Sequence, residues 1–157
     1  MTDDDRYLRL AIETAKEGIT VGQSPFGAVI VRGGSVVVAA HNTVWRDTDP
    51  TAHAEVNAIR TAAARLGRID LRNCTLFSTC EPCPMCLAAT HWAKIERMVY
   101  GATIGDAAAA GFSELQVEAV VLATMGRSPL RIEVSPLAAE CRALFARWET
   151  AGLSRSY

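Results

Sequence analysis

Cys74-Thr75-Leu76-Phe77-Ser78-Thr79-Cys80-Glu81-Pro82-Cys83-Pro84-Met85-Cys86 is the stretch that decides the fold. Residues 74–79 mix β-branched, aromatic and aliphatic side chains and read as a short strand. A helix over residues 83–93 follows, with Pro84 in its first turn, where a missing N–H costs nothing. Residues 97–101 include Met98, Val99 and Tyr100 and read as the next strand. A strand, a helix and a strand in that order make a crossover, which pairs its two strands in parallel.

Working outward, Tyr7, Leu8, Ala11, Ile12 and Ala15 recur at helical spacing and predict an amphipathic helix over residues 3–16, ended by Gly18. Residues 26–31 and 35–40 are apolar runs joined by Arg32-Gly33-Gly34, a hairpin. Residues 41–50 read as a loop. The Ala-rich run 51–66 predicts a helix that Asp49-Pro50-Thr51 starts and Gly67 closes. A short helix at 107–110 ending at Gly111, a fifth strand at 130–134 and a helix at 136–150 complete the order. The expectation is one α/β domain over residues 1–157, with a mixed five-stranded sheet between helix layers. The sheet should be antiparallel at the hairpin and parallel afterwards.

The chain has 157 residues, 50% hydrophobic and 21% charged, which suits one domain with a buried core. A net charge of −1 lacks the basic excess of a protein that grips phosphate backbones, so a small-molecule substrate is expected in place of nucleic acid. Apolar runs are too short to span a bilayer, and the acidic start Asp3-Asp4-Asp5 is wrong for a secretory leader; a cytoplasmic enzyme is expected. Cysteine is odd in number, and Cys80, Cys83 and Cys86 crowd together beside Cys74 and Cys141 elsewhere. A metal site in a reducing compartment fits this better than a disulfide framework.

The candidate chemistry lies in His53-Ala54-Glu55 and Pro82-Cys83-Pro84-Met85-Cys86. Zinc takes nitrogen and thiolate ligands in a tetrahedron, and a catalytic site leaves one position for water. His53, Cys83 and Cys86 supply three ligands, so one zinc per chain is expected. Cys83 and Cys86 share a helix face, and a helix N-terminus favours thiolate over thiol. Glu55, two residues from His53, falls off the histidine's face. It should stand beside the metal as the general acid–base group. Two non-catalytic arrangements use the same residues. Cys80 could join the other three in a closed Cys3His structural zinc module. Cys80-x-x-Cys83-x-x-Cys86 also copies the start of an iron–sulfur run, but Thr90 stands where the fourth cysteine belongs.

The joint pattern H-x-E with P-C-x-x-C resembles the cytidine deaminase superfamily. Pro25-Phe26-Gly27-Ala28-Val29-Ile30-Val31, His41-Asn42 and Asp49-Pro50-Thr51-Ala52-His53-Ala54-Glu55 carry the resemblance further. Trp92-Ala93, Asp106-Ala107-Ala108, Ala110-Gly111-Phe112 and the terminal Tyr157 are similar to small bacterial guanine deaminases. Ser113-Glu114 stands where that group carries two adjacent acids. The resemblance implies a hydrolytic deaminase that releases ammonia from a nucleobase or related heterocycle, guanine favoured, and a homodimer. Cytosine, nucleoside and tRNA adenosine deaminases are the alternatives within the same family. The resemblance further implies that Asn42 and the Ala54 and Glu55 amides hold the base. Phe26 and Trp92 would line the pocket, Glu114 would meet the amine or a neighbouring ring N–H, and Tyr157 would belong to a lid.

Overall fold

The computed structural model describes residues 2–152 and 155–157. Met1, and Leu153 and Ser154 of the C-terminal tail, lie outside the described residues. Helix α1 (Asp3–Thr20) opens on a capping box in which Thr2 and Asp5 satisfy each other's backbone N–H groups. The helix runs through Gly18, where the sequence predicted an end. That glycine is required by crowding: a Cβ there would lie 2.8 Å from Cγ of His41. The chain turns instead at Gly22, in the left-handed region at φ 80°.

Strands β1 (Gly27–Arg32) and β2 (Ser35–His41) form the expected hairpin through Gly33-Gly34. Gly27 lets α1 lie directly on the sheet, since a Cβ would fall 2.1 Å from the Ala11 carbonyl oxygen. A short helix α2 (Val44–Asp47) occupies the predicted loop. Helix α3 (Ala54–Leu66) starts later than expected: Asp49 caps a turn at Thr51, and His53 becomes the N-cap. Strand β3 (Cys74–Cys80), helix α4 (Pro84–Trp92) and strand β4 (Arg97–Ala102) are the predicted crossover. Helix α5 (Ile104–Ala109), helix α6 (Ala119–Met125), strand β5 (Arg131–Val134) and helix α7 (Ala138–Thr150) follow. The sequence reading placed no element at α6.

The sheet order is β2-β1-β3-β4-β5. Pairings β3–β4 and β4–β5 are parallel as expected, while β1–β3 is antiparallel, as is the hairpin. Helices α1 and α7 pack together on one face, and α3, α4 and α6 cover the other. The core between them includes Leu8, Ile30, Leu76, Phe77, Met98 and Leu144, all nearly without solvent contact. Among the described residues, no helix is long and apolar enough to cross a membrane. The architecture brings the N-termini of α3 and α4 together beyond the carboxyl end of β3, where open α/β sheets place their ligands.

Candidate active site

Two helix starts build the site. His53 is the N-cap of α3 and Cys83 the N-cap of α4, both with extended backbone, and Cys86 follows in the first turn of α4. Their ligating atoms all lie within 4.8 Å of one another. The His53 Nδ1 atom is 3.6 Å from Cys83 Sγ and 3.4 Å from Cys86 Sγ. Tetrahedral zinc with ordinary bond lengths requires nitrogen–sulfur edges of about 3.6 Å. The donor set and its spacing therefore fit zinc. Cys80 is outside the group: its thiol faces the Thr103 carbonyl at 3.5 Å. Thr90, at the place an iron–sulfur run would need a ligand, instead donates to the Cys86 carbonyl.

The electrostatics prepare the donors. The hydrogen bond from Cys86, against the cost of burial and with help from His53, holds the Cys83 thiol down at about 4. Cys86 is pushed well up, first because it is the donor in that bond and then by burial. Burial works against a charged His53, but the bond to Cys83 and the charge of Glu55 outweigh it and raise its pKa.

Glu55, buried at 5% exposure, lies beside these donors. Its Oε1 accepts from the Ser78 hydroxyl at 3.0 Å, and its Oε2 lies 3.4 Å from Cys86 Sγ. Burial, with the nearby Cys83 charge, raises its pKa above the usual carboxylate range. Ser78 was not singled out from the sequence, although the period-two alternation of β3 is a usable signal for its inward direction. The second carboxylate is Glu114. Burial first, then the charges of Cys83 and Glu55, bring it to about 7. Its Oε2 is buried and, among the described residues, accepts no hydrogen bond. His53, Cys83, Met85, Glu114, Leu115 and Tyr157 line a cavity of about 200 Å³.

Asn42 is fully buried. Its Oδ1 accepts from the Val44 N–H at 3.0 Å, which fixes the amide, and its Nδ2 donates to the Tyr157 hydroxyl. Ala54 is the first residue of α3, where no intrahelical partner exists, and its N–H has no hydrogen-bond partner among the described residues. Tyr157 lies over the site: its ring centroid is 5.7 Å from that of His53 and 5.4 Å from that of Phe112. Its carbonyl accepts from the Ser113 N–H.

Two expected pocket residues are placed elsewhere. Phe26 is a core residue, packed edge-on against Phe112 at 4.9 Å and Phe145 at 5.9 Å. Phe112, which the sequence reading did not assign to the pocket, is the ring that meets Tyr157. Trp92 is 77% exposed at the far end of α4, six residues or about 9 Å of helix beyond Cys86. It borders a groove with Leu87, His91 and Leu122, away from the metal donors.

Comparison with known proteins agrees with this geometry. Residues 1–102 match the family described as the cytidine and deoxycytidylate deaminase zinc-binding region. The chain is 47% identical over 111 residues to the guanine deaminase of Bacillus subtilis (strain 168), covering 70% of this chain and 71% of that protein. It is 42% identical over 96 residues to the tRNA-specific adenosine deaminase of Aquifex aeolicus (strain VF5), covering 61% and 64%. The solved structure of NE0047 in complex with 2,6-diaminopurine superposes with a TM-score of 0.86 at 25% identity, covering 94% of this chain and 82% of that one. A zinc-binding triad at two helix starts, a buried glutamate beside it and a five-stranded sheet of this order place the chain in the cytidine deaminase family, whose members are zinc-dependent hydrolases of C–N bonds.

Proposed function

We propose that this chain is a guanine deaminase, converting the 2-amino group of guanine to a carbonyl with release of ammonia. The observation that carries the reading is Glu114, a half-buried carboxylate that lines the cavity with the metal donors and whose buried Oε2 has no hydrogen-bond partner among the described residues. Guanine presents its ring N1–H beside the amine, two donors that a carboxylate accepts together. Adenine and cytosine present an acceptor nitrogen beside the amine and would leave the carboxylate with a repulsive contact. Similarity to a guanine deaminase at 47% identity points the same way.

His53, Cys83 and Cys86 would hold the zinc, which when bound supplies Lewis acidity and makes water a nucleophile at neutral pH. Glu55 moves the protons. Its Oε1 is pinned by Ser78, so Oε2 takes a proton from the attacking water. Water adds at the amine-bearing carbon, and Glu55 passes the first proton to the ring nitrogen; it then takes the second from the added hydroxyl and gives it to the departing amine as the carbonyl forms and the C–N bond breaks. Asn42 and the Ala54 N–H hold the base, and Tyr157 with Phe112 closes the cavity.

Residues 1–157 act as a single deaminase domain in the cytoplasm, where five free cysteines are compatible with a reducing medium. A homodimer forms through the α4 face, where exposed Trp92 and Met125 flank the apolar groove. Light scattering at micromolar concentration tests the dimer, and a clean monomer overturns it. Ammonia release from guanine, adenine, cytosine, cytidine and a tRNA anticodon stem-loop tests the substrate. Guanine should turn over best. Deamination of stem-loop adenosine with none of guanine overturns the assignment.

A further inference from the structure

Glu81 takes no part in the chemistry above, yet its side chain is one of the few buried carboxylates of the fold. It lies in the turn between β3 and α4, immediately before Pro82-Cys83, and is 5% exposed. Each carboxylate oxygen accepts one backbone N–H: Oε2 from Ile104 at 2.9 Å and Oε1 from Ala119 at 2.8 Å. Its own N–H donates to the Ala102 carbonyl at 2.7 Å.

Ile104 and Ala119 are the first residues of α5 and α6. Between these two helices runs the segment 110–118, which carries Glu114. The start of α5 already has its own capping box, Thr103 with Asp106. The N-cap of α6, Glu118, makes no side-chain cap bond. The α5 box serves the Thr103 and Asp106 N–H groups and leaves the Ile104 N–H to Glu81, so one carboxylate caps the starts of both helices. What the two bonds achieve together is to tie both flanks of the Glu114 segment to the turn that presents Cys83. A carboxylate suits this task, since it accepts at both ends, whereas an amide turns one end into a donor.

We propose that Glu81 is a positioning residue that fixes the Glu114 segment against the Cys83 turn. The proposal rests on the reading that Glu114 recognises the base. Displacing a recognition group by about 1 Å can cost up to roughly 100-fold in efficiency, so the clasp matters without touching substrate.

The test uses Glu81→Gln in the wild-type and Glu114→Gln backgrounds. Ala119→Pro serves as a second variant that deletes one clasp donor. Proline suits the first helical position, and Glu118 already has the extended backbone at φ −59° and ψ 139° that must precede it. Zinc content, steady-state kinetics on guanine and amide hydrogen exchange are measured. Zinc should be retained, and KM for guanine should rise roughly tenfold with kcat changed less. In the Glu114→Gln background Glu81→Gln should add little, because both act through one group. Exchange at residues 113–118 should quicken while α4 keeps its protection. A full additional loss in the Glu114→Gln background, or unchanged exchange at 113–118, overturns the proposal. If Glu114→Gln alone leaves guanine turnover intact, the recognition reading fails, and exchange at 113–118 still decides whether Glu81 holds the segment.

Discussion

Removing Arg155, Ser156 and Tyr157 separates a cover over the site from a strut of the fold. The truncation breaks three hydrogen bonds: Asn42 Nδ2 to the Tyr157 hydroxyl, Ser113 N–H to the Tyr157 carbonyl, and Trp45 Nε1–H to the Arg155 carbonyl. At about 0.5–1.5 kcal/mol each, these stabilise the tail by roughly 1.5–4.5 kcal/mol. Ring contacts of Tyr157 with His53, Phe112 and Trp45, and the Arg155 guanidinium 4.1 Å above Trp45, add about 1–3 kcal/mol. Ordering three residues costs roughly 4–8 kcal/mol in backbone and side-chain entropy. The two sides nearly cancel. Water also reaches Asn42 once the mouth is open, so its amide is not stranded. The Tm should therefore move by less than about 4 °C, given that 1 kcal/mol shifts a chain of this size by about 2–4 °C. Activity should respond more strongly. An aromatic wall against a base is worth about 1–3 kcal/mol, so kcat/KM for guanine should fall roughly tenfold while zinc content stays full. Calorimetry, metal analysis and ammonia release read the three quantities. Undiminished kcat/KM refutes the cover, and a Tm loss of about 8 °C or more shows a strut.

Glu55→Gln should keep zinc and fold but lower kcat by at least ~100-fold, the low end for losing a general acid–base group; near-wild-type turnover would remove Glu55 from the chemistry. Cys83→Ser and Cys86→Ser should lose the metal, while Cys80→Ser should keep it because that thiol faces Thr103; zinc stoichiometry after dialysis decides this. Arg97 joins α1 to β5 through Asp4 and Glu133, each at 2.6 Å, and its hydrogen bonds hold the Glu133 carboxyl below the usual range. A lowered carboxyl pKa contributes stability above its unfolded value and loses it as pH falls through the folded one. The stability deficit of Arg97→Met should therefore be full near pH 7, at about 0.5–1 kcal/mol for a network whose carboxylates are exposed, and shrink below about pH 4. A deficit that does not change with pH would contradict this.

What the sequence made legible follows from how local each signal is. The βαβ crossover, the hairpin at Gly33-Gly34 and the metal donors depend on neighbours within a few residues, and the structure reproduces them. The end of α1 was misread because Gly18 answers to His41, a residue distant in sequence. Helix α6 went unread because its start is capped by Glu81, again from far along the chain. Phe26 and Phe112 are equally apolar in sequence. Both rings are buried in the core beside Phe145, and only the packed structure shows that Phe112 also meets the Tyr157 ring. Ser78 could have been found from strand alternation, but its partner Glu55 lies on another element.

The placement of His53 and Cys83 at N-cap positions sets local stability against function. Neither residue makes a side-chain cap bond to its helix. Serine, aspartate or asparagine there would satisfy a first-turn N–H and add about 0.5–2 kcal/mol. A library selected for thermal stability alone should therefore drift toward those residues at positions 53 and 83 and discard catalysis as it does so. Histidine and cysteine at two suboptimal caps are what selection for chemistry leaves behind, and stabilising programmes for this enzyme should hold both positions fixed.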